Sequence, residues 1–193
     1  MIYFTSDLHL CHANAIKHCD RPFENVEEMN EALIANINSV VGVHDELYIL
    51  GDFSFKGSKE DVACLRRQIN CWHIHLINGN HDKHFENDNI FSSVQDYKEL
   101  KTPYGKLILF HYPIYSWNGA LHGFAHLHGH IHSRGEYNEN NLKSKYTDRF
   151  PDAHPNDPDM PLRIYDVGVD ANNFKPISLE EIASLLKLEK IGA

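Results

Sequence analysis

The sequence predicts an α/β fold with a mixed sheet or two packed sheets. Three observations carry that prediction. Short runs rich in β-branched and aromatic residues recur along the chain, amphipathic helical patterns separate the first three of them, and the later runs follow one another without such helices. With 193 residues, 42% of them hydrophobic, the chain is expected to form a single domain over 1–193 with a sizeable core.

The first strand is expected in "IYFTS" at 2–6. A helix follows over 26–40, because Val26, Met29, Leu33, Ile37 and Val40 recur at spacings of three and four. "ELYIL" at 46–50 is the second strand. Ser58 then offers an N-cap to a helix that buries Val62, Leu65 and Ile69. Strands follow in "HIHLI" at 73–77, "KLILF" at 106–110, the histidine-rich run near 124–133 and "RIYDV" at 163–167. A last helix starts at Ser178, where "SLEE" forms a capping box with Glu181 and leads to Ile182, Leu185 and Leu186. The stretch from Arg134 to Pro161 is polar and contains prolines, and reads as a long loop over or beside a site, or as a solvated spacer.

Charge narrows the function. Lys and Arg total 18 against 27 Asp and Glu, a formal net charge of −9, which argues against a basic groove tracking long nucleic acid. The four cysteines, Cys11, Cys19, Cys64 and Cys71, form no Cys-x-x-Cys and are expected to be reduced thiols. No apolar run approaches a membrane span, and the N-terminal stretch does not read as a secretory signal, so a cytoplasmic protein with no membrane partner is expected.

The 15 histidines nearly equal Lys and Arg together, and their placement is the main functional signal. "FAHLHGHIHS" puts His126, His128, His130 and His132 at alternate positions, on one face if the whole run is extended. Neutral imidazole is the commonest metal-binding side chain. Other strands end similarly: Asp7 and His9 after the first, Asp52 after the second, Asn80, His81 and Asp82 after the third, and His111 after "KLILF". Convergence at one end of the strands is how α/β folds build sites. Oxygen and imidazole donors without thiolate suit manganese or iron, with zinc and nickel also compatible. Their number fits two ions sharing a carboxylate, an arrangement that can clamp a phosphoryl group for in-line attack.

Taken together and in this order, Asp7-Leu8-His9, Gly51-Asp52, Gly79-Asn80-His81-Asp82, His111 and Gly129-His130-Ile131-His132 resemble the motif set of the calcineurin-like metallophosphoesterase superfamily. The resemblance spans residues 1 to about 132 and implies a four-layer α/β/β/α sandwich. It further implies one divalent ion on Asp7, His9, Asp52 and His132 and a second on Asp52, Asn80, His111 and His130. His81 would be the catalytic histidine, with Asp82 orienting nearby groups. The reaction implied is attack of a metal-bridging hydroxide on a phosphodiester or phosphomonoester. A small or nucleotide-like substrate suits the acidic composition. Two other classes compete with it: a nuclease acting on DNA or RNA, and a non-catalytic protein-binding scaffold, which should have lost ligands that this chain keeps.

Departures from subfamilies add detail. Protein Ser/Thr phosphatases read G-D-x-x-D-R-G where this chain has "GDFSFKG", with Phe55 and Lys56 in place of the second Asp and the Arg, so a protein phosphatase is disfavoured. Lys56 has two readings, a phosphate contact or a surface lysine. "DLHLCHANAIKHCDRPF" resembles small bacterial and phage phosphoesterases, which makes His12, Asn14 and Arg21 candidates for the substrate pocket. Each has an ordinary alternative: a helix cap and a surface histidine for Asn14 and His12, an ion pair for Arg21. His128 could support the site or be a hydrogen-bonded core histidine; Asp170 lies after a late strand, with a structural or a near-site role open.

Overall fold

The structure, a computed structural model, describes residues 1–82, 85 and 89–192. Two sheets form the frame. The first has strand order β4-β3-β2-β1-β9, built from β1 (Ile2–Thr5), β2 (Glu46–Ile49), β3 (His73–Ile77), β4 (Ser93–Gln95) and β9 (Ile177–Ser178), all parallel except β9. The second has order β5-β6-β7-β8, from β5 (Tyr97–Thr102), β6 (Gly105–Phe110), β7 (Ala125–His128) and β8 (Ile164–Asp166). Its β5–β6 pair is an antiparallel hairpin and its other pairs are parallel.

Strand alternation sorts the side chains into three apolar layers. Tyr3, Leu47, Ile49, Ile74 and Leu76 face helices α2 (Val26–Val40) and α3 (Lys59–Gln68), where Met29, Leu33, Ile37 and Val62 meet them. Phe4, Tyr48, Leu50 and Ile77 face the second sheet's Leu107, Leu109, Leu127 and Tyr165. Helix α6 (Leu179–Leu185) adds Leu179 and Ile182 to that central layer. The outer face of the second sheet carries Ile108 and Ile164 against Trp117, Tyr146, Met160 and Leu162. The expected four-layer sandwich is therefore observed.

The helix starts follow their capping chemistry. Asn25 accepts from Glu28 N at 2.8 Å, Ser58 forms a reciprocal box with Asp61, and Ser178 forms one with Glu181. Each such cap contributes about 1 kcal/mol.

Two expectations need correction. Residues 134–161 are not one long loop: α4 (Glu136–Lys143) and α5 (Tyr146–Arg149) lie there, and Tyr146 and Met160 are core residues. Buried Asn138 ties α4 to β8, accepting from Asp166 N at 2.8 Å and donating to Asp166 O at 2.9 Å. Nor do the four alternate histidines share one strand face, because β7 ends at His128. His126 and His128 point away from the central layer and are fully buried, next to Trp117 and Tyr137 respectively. His126 donates from Nδ1 to Ile108 O at 3.0 Å, and His128 from Nδ1 to Gly129 O at 2.8 Å. His130 and His132 follow in left-handed turns with φ of 73° and 47°.

Candidate metal centre

The loops after β1 and β2 run side by side and continue the pairing of their strands. Asp7 N donates to Gly51 O at 3.0 Å, His9 N to Asp52 O at 2.9 Å and Leu10 N to Phe53 O at 3.0 Å. Asp7, His9 and Asp52 all adopt left-handed backbone, with φ of 59°, 53° and 54°. That region is sparsely populated by side-chain-bearing residues and costs of order 1 kcal/mol each, least for Asp, Asn and His. The conformation turns these side chains to one side of the loops, where the chain following β7 meets them. Gly129 allows that approach: a Cβ there would lie 2.0 Å from Ser6 Oγ and 2.3 Å from Asp7 Oδ2. Gly79 does the same for the loop after β3, since its Cβ would lie 2.3 Å from Asp52 Oδ1.

The result is a cluster of donors around Asp52 and Asp7. Asp52 Oδ2 lies 3.6 Å from His9 Nε2, 3.6 Å from His111 Nε2 and 3.9 Å from His81 Nε2. Asp7 Oδ1 lies 3.8 Å from His132 Nε2, and His9 Nε2 faces His132 Nε2 at 3.2 Å. Asn80 Oδ1 lies 3.2 Å from His111 Nε2. Among the described residues four sets have ligand atoms within 4.8 Å of one another: Asp7, His9 and His132; Asp7, Asp52 and His111; His9, Asp52 and His81; and Cys19, His132 and Asp170.

These residues fit divalent cations. Asp7 Oδ1 is buried without a hydrogen-bond partner, as is His9 Nδ1, and such groups are costly unless another charge compensates them. Burial pushes the Asp7 carboxyl up to about 7 and holds His9 down to about 2, so His9 stays neutral as a ligand requires. His111 donates from Nδ1 to Leu50 O at 2.8 Å, which leaves its Nε2 bare toward Asp52. For His132 burial works downward, but the hydrogen bonds to Asp170 and Cys19 and the charge of Asp7 outweigh it and hold the imidazole up to about 10. A bound cation would have to displace that proton.

Other candidate residues are placed as follows. His130 is exposed, its ring 5.0 Å from that of His111 and 4.6 Å from that of Tyr112, while its backbone N donates to Asp7 Oδ2 at 2.9 Å. It therefore stands beside the tight sets and belongs to none of them. His81 lies at the rim with its side chain 28% exposed, its ring 4.2 Å from Phe55 and 5.5 Å from His9. Asp82 is fully buried and accepts from Asp52 N at 2.6 Å, Gly79 N at 2.8 Å and Phe53 N at 3.0 Å. It thus holds the backbone of Asp52, Phe53 and Gly79 and does not reach the open cluster. His12 joins the wall through ring contacts with Phe55 and His9 at 4.6 and 5.4 Å. Asn14 is exposed on helix α1 (Ala13–His18), with His12 at the N-cap position and no side-chain cap bond. Lys56 is exposed, over the Phe55 ring at 5.3 Å.

The substrate-contact expectation for Arg21 is corrected. Its guanidinium is buried and already engaged by Asp170 and two backbone carbonyls, so the ion-pair reading is the observed one. Sequence reasoning also left Asp170 unassigned and did not find Cys19 and Asp166 near the centre. Asp170 Oδ2 lies 2.7 Å and Cys19 Sγ 3.2 Å from His132 Nδ1, and Asp166 Oδ2 accepts from Ser133 Oγ at 2.6 Å. The one signal available for the two acids was "YDVGVD", which runs off the end of the strand predicted at 163–167.

A cavity of about 380 Å³ opens beside the centre, bounded by Phe55, Lys56, Val62, Asn80, His81 and Phe85. A larger one of about 490 Å³, lined by Met1, Tyr3, Tyr165 and Pro176 among others, contains none of these donors. The first is the one with chemistry next to it.

Fold and donor set together define a two-sheet α/β protein whose strand ends converge on a carboxylate and imidazole cluster suited to cations. The chain belongs to the calcineurin-like phosphoesterase family, whose model matches residues 1–171. The match runs well past the last of the sequence motifs and takes in Asp166 and Asp170. The chain is 34% identical over 190 residues to the uncharacterized protein MJ1445 of Methanocaldococcus jannaschii, covering 98% of this chain and 93% of that protein. Among solved structures it shares its fold with AQ665 of Aquifex aeolicus, a protein of unknown function, with a TM-score of 0.70 and 24% identity over 96% of this chain and 98% of that one. The nuclease MPE of Pseudomonas putida superposes with a TM-score of 0.47 and 21% identity, covering 68% of this chain and 61% of that one. Among the described residues no helix is long and apolar enough to cross a membrane.

Proposed function

We propose that this protein is a dinuclear metal-dependent phosphoesterase that hydrolyses a phosphodiester or phosphomonoester of a small or nucleotide-like substrate. The observation that carries the reading is Asp52, whose Oδ2 has the imidazoles of His9, His81 and His111 within 3.9 Å, next to the unpartnered Asp7 Oδ1. Asp7, His9, Asp52 and His132 would hold one ion, and Asp52, Asn80, His111 and His130 the other, with manganese or iron suiting the donors first. Such a pair supplies Lewis acidity toward phosphoryl oxygens and a water activated near neutral pH.

The chain's own residues contribute the rest. His81 stands at the mouth of the cluster, placed to pass a proton to the leaving oxygen. Its backbone N donates to Asp52 Oδ1 at 3.0 Å and its ring rests on Phe55, so its position is set from two sides. Asp82 holds the Asp52 and Gly79 backbones in register. The 380 Å³ cavity next to His81 and Asn80 has room for the alcohol or base of a small ester. A net charge of −9 works against a long polyanion.

The test is turnover of bis(p-nitrophenyl) phosphate and p-nitrophenyl phosphate, side by side, on metal-stripped protein reloaded with manganese. Activity on at least one is expected, with Asp52→Asn abolishing it. A purified Asp52→Asn variant with full activity would sink the shared-ligand assignment, and no turnover of either ester by protein holding two ions would point to the scaffold class instead.

A further inference from the structure

Arg21 and Asp170 lie 149 positions apart and form a buried, two-pronged ion pair: Nε to Oδ1 and Nη2 to Oδ2, both at 2.9 Å. Each partner has a second engagement at the metal centre. Arg21 donates from Nη2 to Asp7 O at 2.7 Å and from Nη1 to Leu8 O at 3.0 Å, gripping the left-handed backbone that presents Asp7 and His9. Asp170 accepts from His132 Nδ1 at 2.7 Å, which leaves His132 Nε2 to face His9 Nε2 and Asp7 Oδ1. The segment carrying Asp170 is itself anchored beside the first strand, since Val169 N donates to Ser6 O at 3.1 Å.

We infer that the Arg21–Asp170 pair is a positioning clamp that sets the distance between Asp7 and His9 on one loop and His132 on another. It thereby controls occupancy of the first cation site and leaves the second, on Asn80 and His111, nearly untouched. This rests on the reading that Asp7, His9, Asp52 and His132 hold a cation. The physical case is direct. Three of those four donors come from two segments far apart in sequence, and the carbonyl grip and the Asp170–His132 bond join those segments through a single guanidinium. A carboxylate on the far nitrogen of a ligating histidine also fixes the tautomer and raises ligand basicity, and losing it typically lowers metal affinity 10–100-fold. A buried ion pair that only supported the fold would affect both cation sites alike, or neither.

The experiment is equilibrium dialysis of wild type and Asp170→Asn against graded manganese, with thermal unfolding of both metal-free proteins measured alongside. Wild type is expected to take up two ions; the variant should take up one at wild-type affinity and the other about 10–100-fold more weakly. Two ions bound unchanged by the variant, or equal weakening of both, would overturn the clamp. A wild type that takes up no ion would overturn the underlying site reading as well, which separates the two failures. If Asp170→Asn does not fold, ¹⁵N NMR of the imidazoles in zinc-loaded wild type decides the matter: a proton on His132 Nδ1 with Nε2 bare supports the clamp, and the opposite tautomer overturns it.

Discussion

Asp7, His9, Asp52, His130 and His132 all sit on left-handed backbone, so these candidate ligands are presented at the expense of local conformational preference. The strand framework holds them there through the loop pairing of Asp7 with Gly51 and His9 with Asp52. Motif spacing identified these residue types, because an Asp or His directly after a strand is visible in one dimension. It could not show that His81 comes within 3.9 Å of Asp52, close enough to belong to a ligand set. The two roles for His81 separate experimentally. His81→Ala is expected to keep its full metal content while kcat falls, most for esters with poor leaving groups. Loss of an ion in elemental analysis of that variant would instead make His81 a ligand.

Legibility at the level of elements followed the strength of the local signal. Helix α2 was read with its observed bounds because its apolar stripe and polar face persist over four turns, and the helices starting after Ser58 and Ser178 have their capping partners written beside them. Strands β5 and β9 gave no comparable signal: "YKELKT" is a polar edge strand, and β9 is two residues long. The 134–161 segment misled because its apolar residues are sparse, yet its Tyr146 and Met160, with Leu162 just beyond it, pack with Ile108 and Ile164. Tyr146 is 5% exposed and its ring stacks on Phe150 at 4.5 Å. Tyr146→Ala should therefore cost about 3 kcal/mol in urea unfolding, as large-to-small core changes do. A change under about 0.5 kcal/mol, the range of surface substitutions, would mean the segment is peripheral after all.

For the whole molecule, the buried histidines of β7 make stability depend on pH. Burial holds His126 down to about 3 and His128 down to about 4, against about 6.5 in an unfolded chain. The folded state keeps them neutral while the unfolded state takes up protons as pH drops below about 6.5. Their contribution is therefore complete above that value and is lost as pH falls toward 4, by up to about 1.4 kcal/mol per pH unit for each histidine. Asp82, pushed up to about 6 by burial, has the opposite sign between its unfolded value and that point. The histidine contribution is accordingly read as a difference. In chelator, wild type should lose more unfolding free energy than His126→Gln between pH 7 and pH 5, and equal slopes would contradict it.

By itself the sequence determined the chemistry of this protein: which donors it carries, their order, their attachment to strand ends, and the family that this order belongs to. Those properties are local, since a carboxylate or imidazole one to three residues past a strand must emerge at that strand's end. Tertiary structure decided which of the histidines meet the centre. His126 and His128 were in phase with His130 and His132 in the sequence, but the strand stops at His128 and Gly129 passes within reach of Ser6 and Asp7, which sends the two pairs to different layers. It also decided the fate of Arg21, whose partner lies 149 positions away. Such pairings depend on which loops the two sheets bring together, and no periodicity in the chain encodes that.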